Sequence, residues 1–268
     1  MCEITQQESD FLDAMVNGIC NHYDKWLNKE YRWPQNRNAK DEQSTVLIFN
    51  EHSKHLRRGY IEESIFNIFY WGGGDRAIAN IAERNEFSDA IKALNLLQNE
   101  HPSLDTVLMM GNHPRHGYTR ISFWSKVLAA YKPGDFYIYD SRVALALVYI
   151  SLTLRQPCLW SIPQDAGNMM NQTFKGMNIT VQNAVGRNLR NYHGEISVPR
   201  SYRLYLELLS RLANKKDILD RYNYLSTSIK SAYNKMFAFI PDRKERKNKS
   251  IMAHLEKMLF MMKEDILV

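Results

Sequence analysis

An all-α fold is predicted by three features of this sequence. Apolar residues recur three and four apart along most of its length, the polar links between those stretches are short, and Ser, Pro and Gly stand where helices begin and end. At 268 residues the chain can bury a substantial core, as one large domain or two small lobes.

The first helix is expected from Thr5 to about Tyr31, with Phe11, Met15, Ile19, Tyr23 and Trp26 forming one stripe and Trp33-Pro34 stopping it. Residues 35–44 are polar and predict a loop. Val46 to Phe49 is a short apolar run, and the charged stretch 51–59 leads into a helix over 61–70 with Ile65, Ile68 and Phe69 on one side. Three glycines at 72–74 predict a sharp turn. They are not a phosphate-binding P-loop, because no Gly-Lys-Ser/Thr follows. Residues 77–84, 87–98 and 104–110 have helical spacing, with Ser88 and Ser103 near their starts.

A tight turn at His116-Gly117-Tyr118-Thr119-Arg120 then precedes a helix, a Pro133-Gly134 break, the apolar run Phe136 to Tyr139, and Asp140 at the head of a helix to about Leu154. The run Val143 to Ile150 is apolar almost all round, which predicts burial. Residues 155–176 look irregular and 178–192 have helical spacing. Helices are further expected over 199–214, 218–239 and 251–266, with the basic stretch 243–249 as a surface loop.

Composition narrows the functional classes. Apolar content of 44% and charged content of 24% are ordinary for a globular protein, and no apolar run approaches the roughly 18 residues that span a bilayer. No membrane association is expected. The acidic, polar N-terminus does not read as a signal peptide, so a cytoplasmic location is the expectation. Cys2, Cys20 and Cys158 supply neither a disulfide framework nor the ligands of an iron–sulfur cluster. His113 and His116 lack an acidic or Cys partner at ligand spacing. Neither metal nor cofactor is expected.

The net charge of +6 is uneven: residues 1–180 carry 18 Lys/Arg against 20 Asp/Glu, and residues 181–268 carry 17 against 9. A basic C-terminal part over 181–268 suits a phosphate-facing surface, and it also suits a merely solvated face.

The turn and the Asp carry chemistry together. A Gly-containing hairpin before a helix leaves backbone N–H groups and the positive dipole end available to a phosphate oxygen. An Asp at a helix N-cap is held by backbone N–H groups, which favours its charged form, or it serves only as a cap. A fixed carboxylate stabilises oxocarbenium-like charge on a sugar and orients water.

The order of hairpin, helix, Lys132-Pro133-Gly134 break and Asp140-Ser-Arg-Val resembles the helix-hairpin-helix DNA glycosylases of base excision, in particular the 8-oxoguanine glycosylase type. With Gly117 on the first Gly of that family's hairpin, Asp140 falls on its catalytic Asp without a gap. The motifs cover about residues 104–150. The resemblance implies a single unit of two packed helical lobes over 1–268 and double-stranded DNA as partner, with a monomer as the default. Gly117, Thr119, Arg120 and Ser122 would hold a phosphate, and Asp140 would serve base excision on a flipped, damaged or modified base.

Two departures stand out. Thr119 replaces the second hairpin Gly, and Ile121 stands where lyase members carry the Schiff-base Lys. The resemblance therefore implies a monofunctional hydrolase that leaves an abasic site. Lys126, five residues further along the helix, is the alternative nucleophile of a bifunctional lyase. Trp71, Trp124, Tyr137 and Tyr139 are candidates for a base pocket. Bacterial anti-phage glycosylases that strip modified cytosines offer an analogy, as does DNA repair. The rival readings are a non-catalytic DNA-binding protein that keeps the hairpin and an all-α protein-interaction domain.

Overall fold

The structure, a computed structural model, describes residues 3–27, 41–71, 121–157, 159–162 and 197–262. These residues form helices and connecting turns with no strand among them, so the fold class is all-α.

Helix α1 (Gln6–Asn21) starts on a reciprocal cap. The Glu8 N–H donates to Thr5 Oγ1 at 3.2 Å, and the Thr5 N–H donates to Glu8 Oε2 at 2.8 Å. Phe11, Leu12, Met15, Val16 and Ile19 are buried along one stripe. The helix expected to run to Tyr31 breaks at His22, whose ring nitrogen lies 2.9 Å from Gly18 O, and a short α2 (Tyr23–Trp26) follows. Residues 28–31 lie outside the described residues.

Helix α3 (Glu42–Arg57) corrects the expected loop at 42–44 and the separate run at 46–49, while residues 35–40 lie outside the described residues. Asp41 Oδ1 accepts the Ser44 N–H at 2.7 Å and starts the helix early. Val46, Phe49, Asn50, Ser53 and Leu56 then turn inward at helical spacing, and Glu51 and Arg57 face outward. Gly59 ends α3 at φ 92°. Its N–H donates to Leu56 O and the Tyr60 N–H to His55 O, both at 3.2 Å, which closes a Schellman motif. The next helix, α4 (61–71), buries Ile65, Ile68 and Phe69 as expected.

Helix α5 (Ile121–Tyr131) leads into the turn at 132–136, where Gly134 takes φ 95°, and an extended segment reaches Asp140. Helix α6 (Ser141–Thr153) is buried nearly all round, as its apolar run predicts. It too ends in a Schellman motif, with the Gln156 N–H donating to Ser151 O at 2.9 Å and the Arg155 N–H to Leu152 O at 3.1 Å. Here an arginine, Arg155, occupies the left-handed position at φ 56°.

Helix α7 (Val198–Ala213) matches expectation, and Ser197 caps it. The single helix expected over 218–239 is two, α8 (Lys216–Asn223) and α9 (Thr227–Met236), because Ser226 caps a new start by accepting the Ile229 N–H at 3.3 Å. The basic stretch 243–249 is not a loop. It forms the first two turns of α10 (Arg243–Met261), begun by Asp242, whose side chain accepts the Glu245 N–H at 2.6 Å. From Ser250 to Met262 every residue of this segment is buried.

Helix α10 packs against α6, α7 and α9, while α3 packs against α5 and α9, and α1 against α6 and α7. The buried apolar residues of these helices form one connected core. Among the described residues no helix is long and apolar enough to cross a membrane.

A half-buried ion pair fixes α1 on α7. The Arg200 Nε donates to Glu8 Oε1 at 2.7 Å, its Nη2 pairs with Glu8 Oε2, and Nη2 also donates to Glu3 O at 2.9 Å. The Arg200 hydrogen bonds hold the Glu8 carboxyl down at about 2 against an ordinary value of 4.5. A depressed carboxylate contributes stability above its unfolded value and loses it as pH falls through the folded value. Acid titration should therefore weaken the protein between pH 4.5 and about 2, and Glu8→Gln should flatten that part of the stability–pH curve in chemical denaturation.

The two Schellman motifs give a matched pair of expectations. Gly59→Ala should lower stability by about 1–2 kcal/mol, because an alanine is forced into the left-handed region. Arg155→Gly should raise stability by up to about 1 kcal/mol by relieving that strain. Thermal melts of the two variants beside the parent check both signs.

A candidate active-site cleft

The extended segment 137–140 belongs to no helix or sheet, so its buried peptide groups need partners from elsewhere. Side chains from three helices supply them. Tyr137 O accepts from Tyr202 Oη of α7 at 2.9 Å, the Ile138 N–H donates to Glu256 Oε2 of α10 at 2.7 Å, and the Tyr139 N–H donates to Ser125 Oγ of α5 at 3.0 Å. Tyr139 Oη donates to Ser161 O at 2.9 Å, and Tyr137 Oη donates to Lys249 O at 3.2 Å. The segment is thus gripped on both edges.

Asp140 follows directly and caps α6. The N–H groups of Arg142 and Val143 donate to its Oδ1 at 2.9 and 3.2 Å, and neither bond uses Oδ2. The second oxygen remains for other chemistry. Asp140 lines a cleft with Lys126, Glu256, Lys257, Thr45, Trp71, Ile138, Val143 and Phe260. The four ionisable groups are deeply placed, with Lys126 5%, Asp140 7%, Glu256 6% and Lys257 7% exposed. The cleft's volume of about 20 Å³ is room for a water molecule rather than for a nucleobase.

Two amines and two carboxyls in one cleft balance in charge, and their environments differ. Burial pushes the Glu256 carboxyl above its ordinary value, and the Asp140 charge adds to this. Lys257 and the Ile138 N–H pull the other way without cancelling it. Lys257 Nζ stands 3.3 Å from Glu256 Oε1. Beside the cleft, the Arg142 guanidinium lies 4.4 Å from the centre of the Phe260 ring.

The sequence-predicted residues fare differently. Asp140 is the N-cap that its position implies. Lys126 is not solvated and does not lie out of reach: α5 turns it inward, into the same cleft as Asp140. Gly117, Thr119 and Arg120 lie outside the described residues, and so does the side chain of Ser122, whose backbone falls in the first turn of α5. The side chains of Ile121 and Trp124 lie outside them as well. Of the candidates for a base pocket, Trp71 lines the cleft, whereas Tyr137 and Tyr139 are committed to the buried contacts above.

Glu256 and Lys257 escape sequence reasoning that searches near the hairpin. A signal for them does exist. Between Ile251 and Met262 the only polar residues are His254, Glu256 and Lys257, too few to give α10 a solvent face. Charges within such a helix must meet partners inside the protein. His254 makes a second buried contact of this kind: its Nδ1 lies 2.7 Å from Glu42 Oε1, to which Tyr233 Oη donates at 2.5 Å. Burial works to raise the Glu42 carboxyl, yet His254, Tyr233 and Lys257 together hold it below its ordinary value.

Among the described residues no group of three or more His, Cys, Asp or Glu is placed to hold a metal ion. Comparison with protein-family models, curated protein sequences and solved structures finds no match to this chain.

The grip on segment 137–140 has a measurable weight. Ser125→Ala should leave the buried Tyr139 N–H without its acceptor and lower stability by about 1–3 kcal/mol in urea denaturation. A surface serine would give a change near zero.

Proposed function

We propose that this protein is a DNA glycosylase that breaks the N-glycosidic bond of a flipped damaged or modified base. The observation that carries this reading is the shared burial of Asp140 and Lys126 in one cleft, at the head of a helix that follows a hairpin-like sequence. The resemblance of residues 104–150 to the base-excision glycosylases supplies the reaction class, and the cleft supplies a place where its key groups meet.

In this reading Asp140 stands beside the sugar. As the C1′–N bond breaks, its electron pair leaves with the base nitrogen, which takes up a proton, and positive charge grows on C1′ and the ring oxygen. The Asp140 carboxylate, fixed by the Arg142 and Val143 N–H groups, stabilises that charge without having to reorganise. A water in the cleft attacks C1′, gives up a proton and leaves an abasic site. A base exceeds the cleft's volume, so it would be held by residues beyond those lining this space. Gly117 to Ser122 would hold a DNA phosphate, and the basic residues of 181–268 would extend the contact.

A second reading is favoured by the placement of Lys126. Its neutral amine can attack C1′ in place of water, displacing the base and opening the sugar to an imine, which then loses the 3′ phosphate by elimination. The register that puts Ile121 at the family's Schiff-base position implies a hydrolase. The inward turn of Lys126 restores the lyase as a competitor.

Incubation with duplexes carrying different damaged and modified bases, followed by an assay for abasic sites, tests the proposal. Base release is expected, and Asp140→Asn should slow it by about 100-fold or more. Borohydride trapping of a protein–DNA adduct that disappears in Lys126→Ala selects the amine, and abasic product without an adduct selects water. If Asp140→Asn releases base at the parent rate, the mechanism is wrong. Salt-dependent duplex binding with no product from any substrate would point to the non-catalytic DNA-binding rival.

A further inference from the structure

Base release as described uses Asp140 and one nucleophile, and it leaves Glu256 without a task. Yet Glu256 is the residue whose side chain carries α10 to the backbone of the segment that delivers Asp140. Its Oε2 accepts the N–H of Ile138 at 2.7 Å, across 118 residues of chain and two residues ahead of Asp140. Glu256 and Ile138 both line the cleft that Asp140 enters. Behind Asp140 the start of α6 fixes the backbone. Ahead of it, the backbone contacts to Tyr202, Glu256 and Ser125, together with the Tyr137 and Tyr139 hydroxyl contacts, set where the segment runs.

Tyr202 donates to the segment, whereas Glu256 and Ser125 accept from it, and of the two acceptors Glu256 makes the shorter bond, 2.7 Å against 3.0 Å. Its other oxygen faces Lys257 at 3.3 Å, which keeps the carboxyl in place within an apolar helix. A carboxyl buried to this depth is costly, and an apolar residue would serve the core better. Its presence makes sense if the Ile138 peptide must be held at one height.

We propose that Glu256 is a positioning residue that fixes the Asp140 carboxylate in the cleft by holding the Ile138 N–H. The inference rests on the glycosylase reading. It makes α10 a working part of the site and assigns Glu256 an effect that passes through Asp140 alone.

The test is single-turnover base release and duplex affinity for the parent, Glu256→Ala, Glu256→Gln, Asp140→Asn and the double variant Asp140→Asn/Glu256→Ala. Glu256→Ala should slow base release about 100-fold with duplex affinity unchanged, since a reacting group displaced by an ångström loses that much. Glu256→Gln keeps an amide oxygen for the Ile138 N–H and should stay within about threefold of the parent. In the Asp140→Asn background, Glu256→Ala should add no further loss, as for two changes on one route. Where Glu256→Ala is not recovered folded, Glu256→Asp shortens the reach by one methylene and should be as slow.

A parent-like rate in Glu256→Ala, a Glu256→Gln variant as slow as Glu256→Ala, or an independent loss in the double variant overturns the proposal while base release by the parent keeps the glycosylase reading. No base release by the parent overturns both.

Discussion

The N–H of Ile138 is buried where no helix or sheet can satisfy it, and much of the surrounding structure follows from how it is satisfied. A lone peptide donor in an apolar interior costs roughly 1–3 kcal/mol, so an acceptor must be brought to it. Glu256 is that acceptor, and it stands on α10, the helix that packs against α6, α7 and α9. The contact therefore ties an irregular part of the described chain to the fully buried half of α10. Tyr202 and Ser125 complete the arrangement from two other sides, so the direction of approach to Asp140 is fixed by three helices rather than by the local loop.

Charge in the interior follows the same logic. Lys126, Lys257, Asp140 and Glu256 line one cleft, and Glu42 is matched with His254 and Tyr233 a short way along α10. Each group is costly to bury alone, and each lies near an opposite charge or a donor that offsets part of the cost. Asp140 has two peptide donors on one oxygen, and burial raises the Glu256 carboxyl above its ordinary value.

What the sequence made legible was whatever depends on neighbours along the chain. The stripes of α1, α4 and α7, the all-round apolar character of α6 and the capping role of Asp140 are local patterns, and the structure has them where the patterns place them. Stretches rich in charge were misjudged for a reason that is also local. Residues 243–249 look like a solvated loop, but the Asp242 cap and the buried run from Ser250 onward make them the start of a helix. The break at Ser226 and the early start at Asp41 likewise turn on single capping side chains. The inward turn of Lys126 and the reach of Glu256 to Ile138 could not be read, because they depend on how α5 and α10 pack on segments far away in sequence. For the cleft, then, Asp140 was visible, Lys126 was visible as a candidate, and Glu256 and Lys257 were marked only as charges in an apolar run, without their partners.

The long spans of these contacts bear on how the protein comes to exist. Glu8 meets Arg200 across 192 residues, and Glu42 meets His254 across 212. With Ile138 bonded to Glu256, the lining of the cleft is complete only once α10 has been made. During synthesis the Asp140 segment has a backbone donor without its acceptor and helices without their common packing partner. A partly made chain therefore holds Lys126 and Asp140 but not the cleft that joins them.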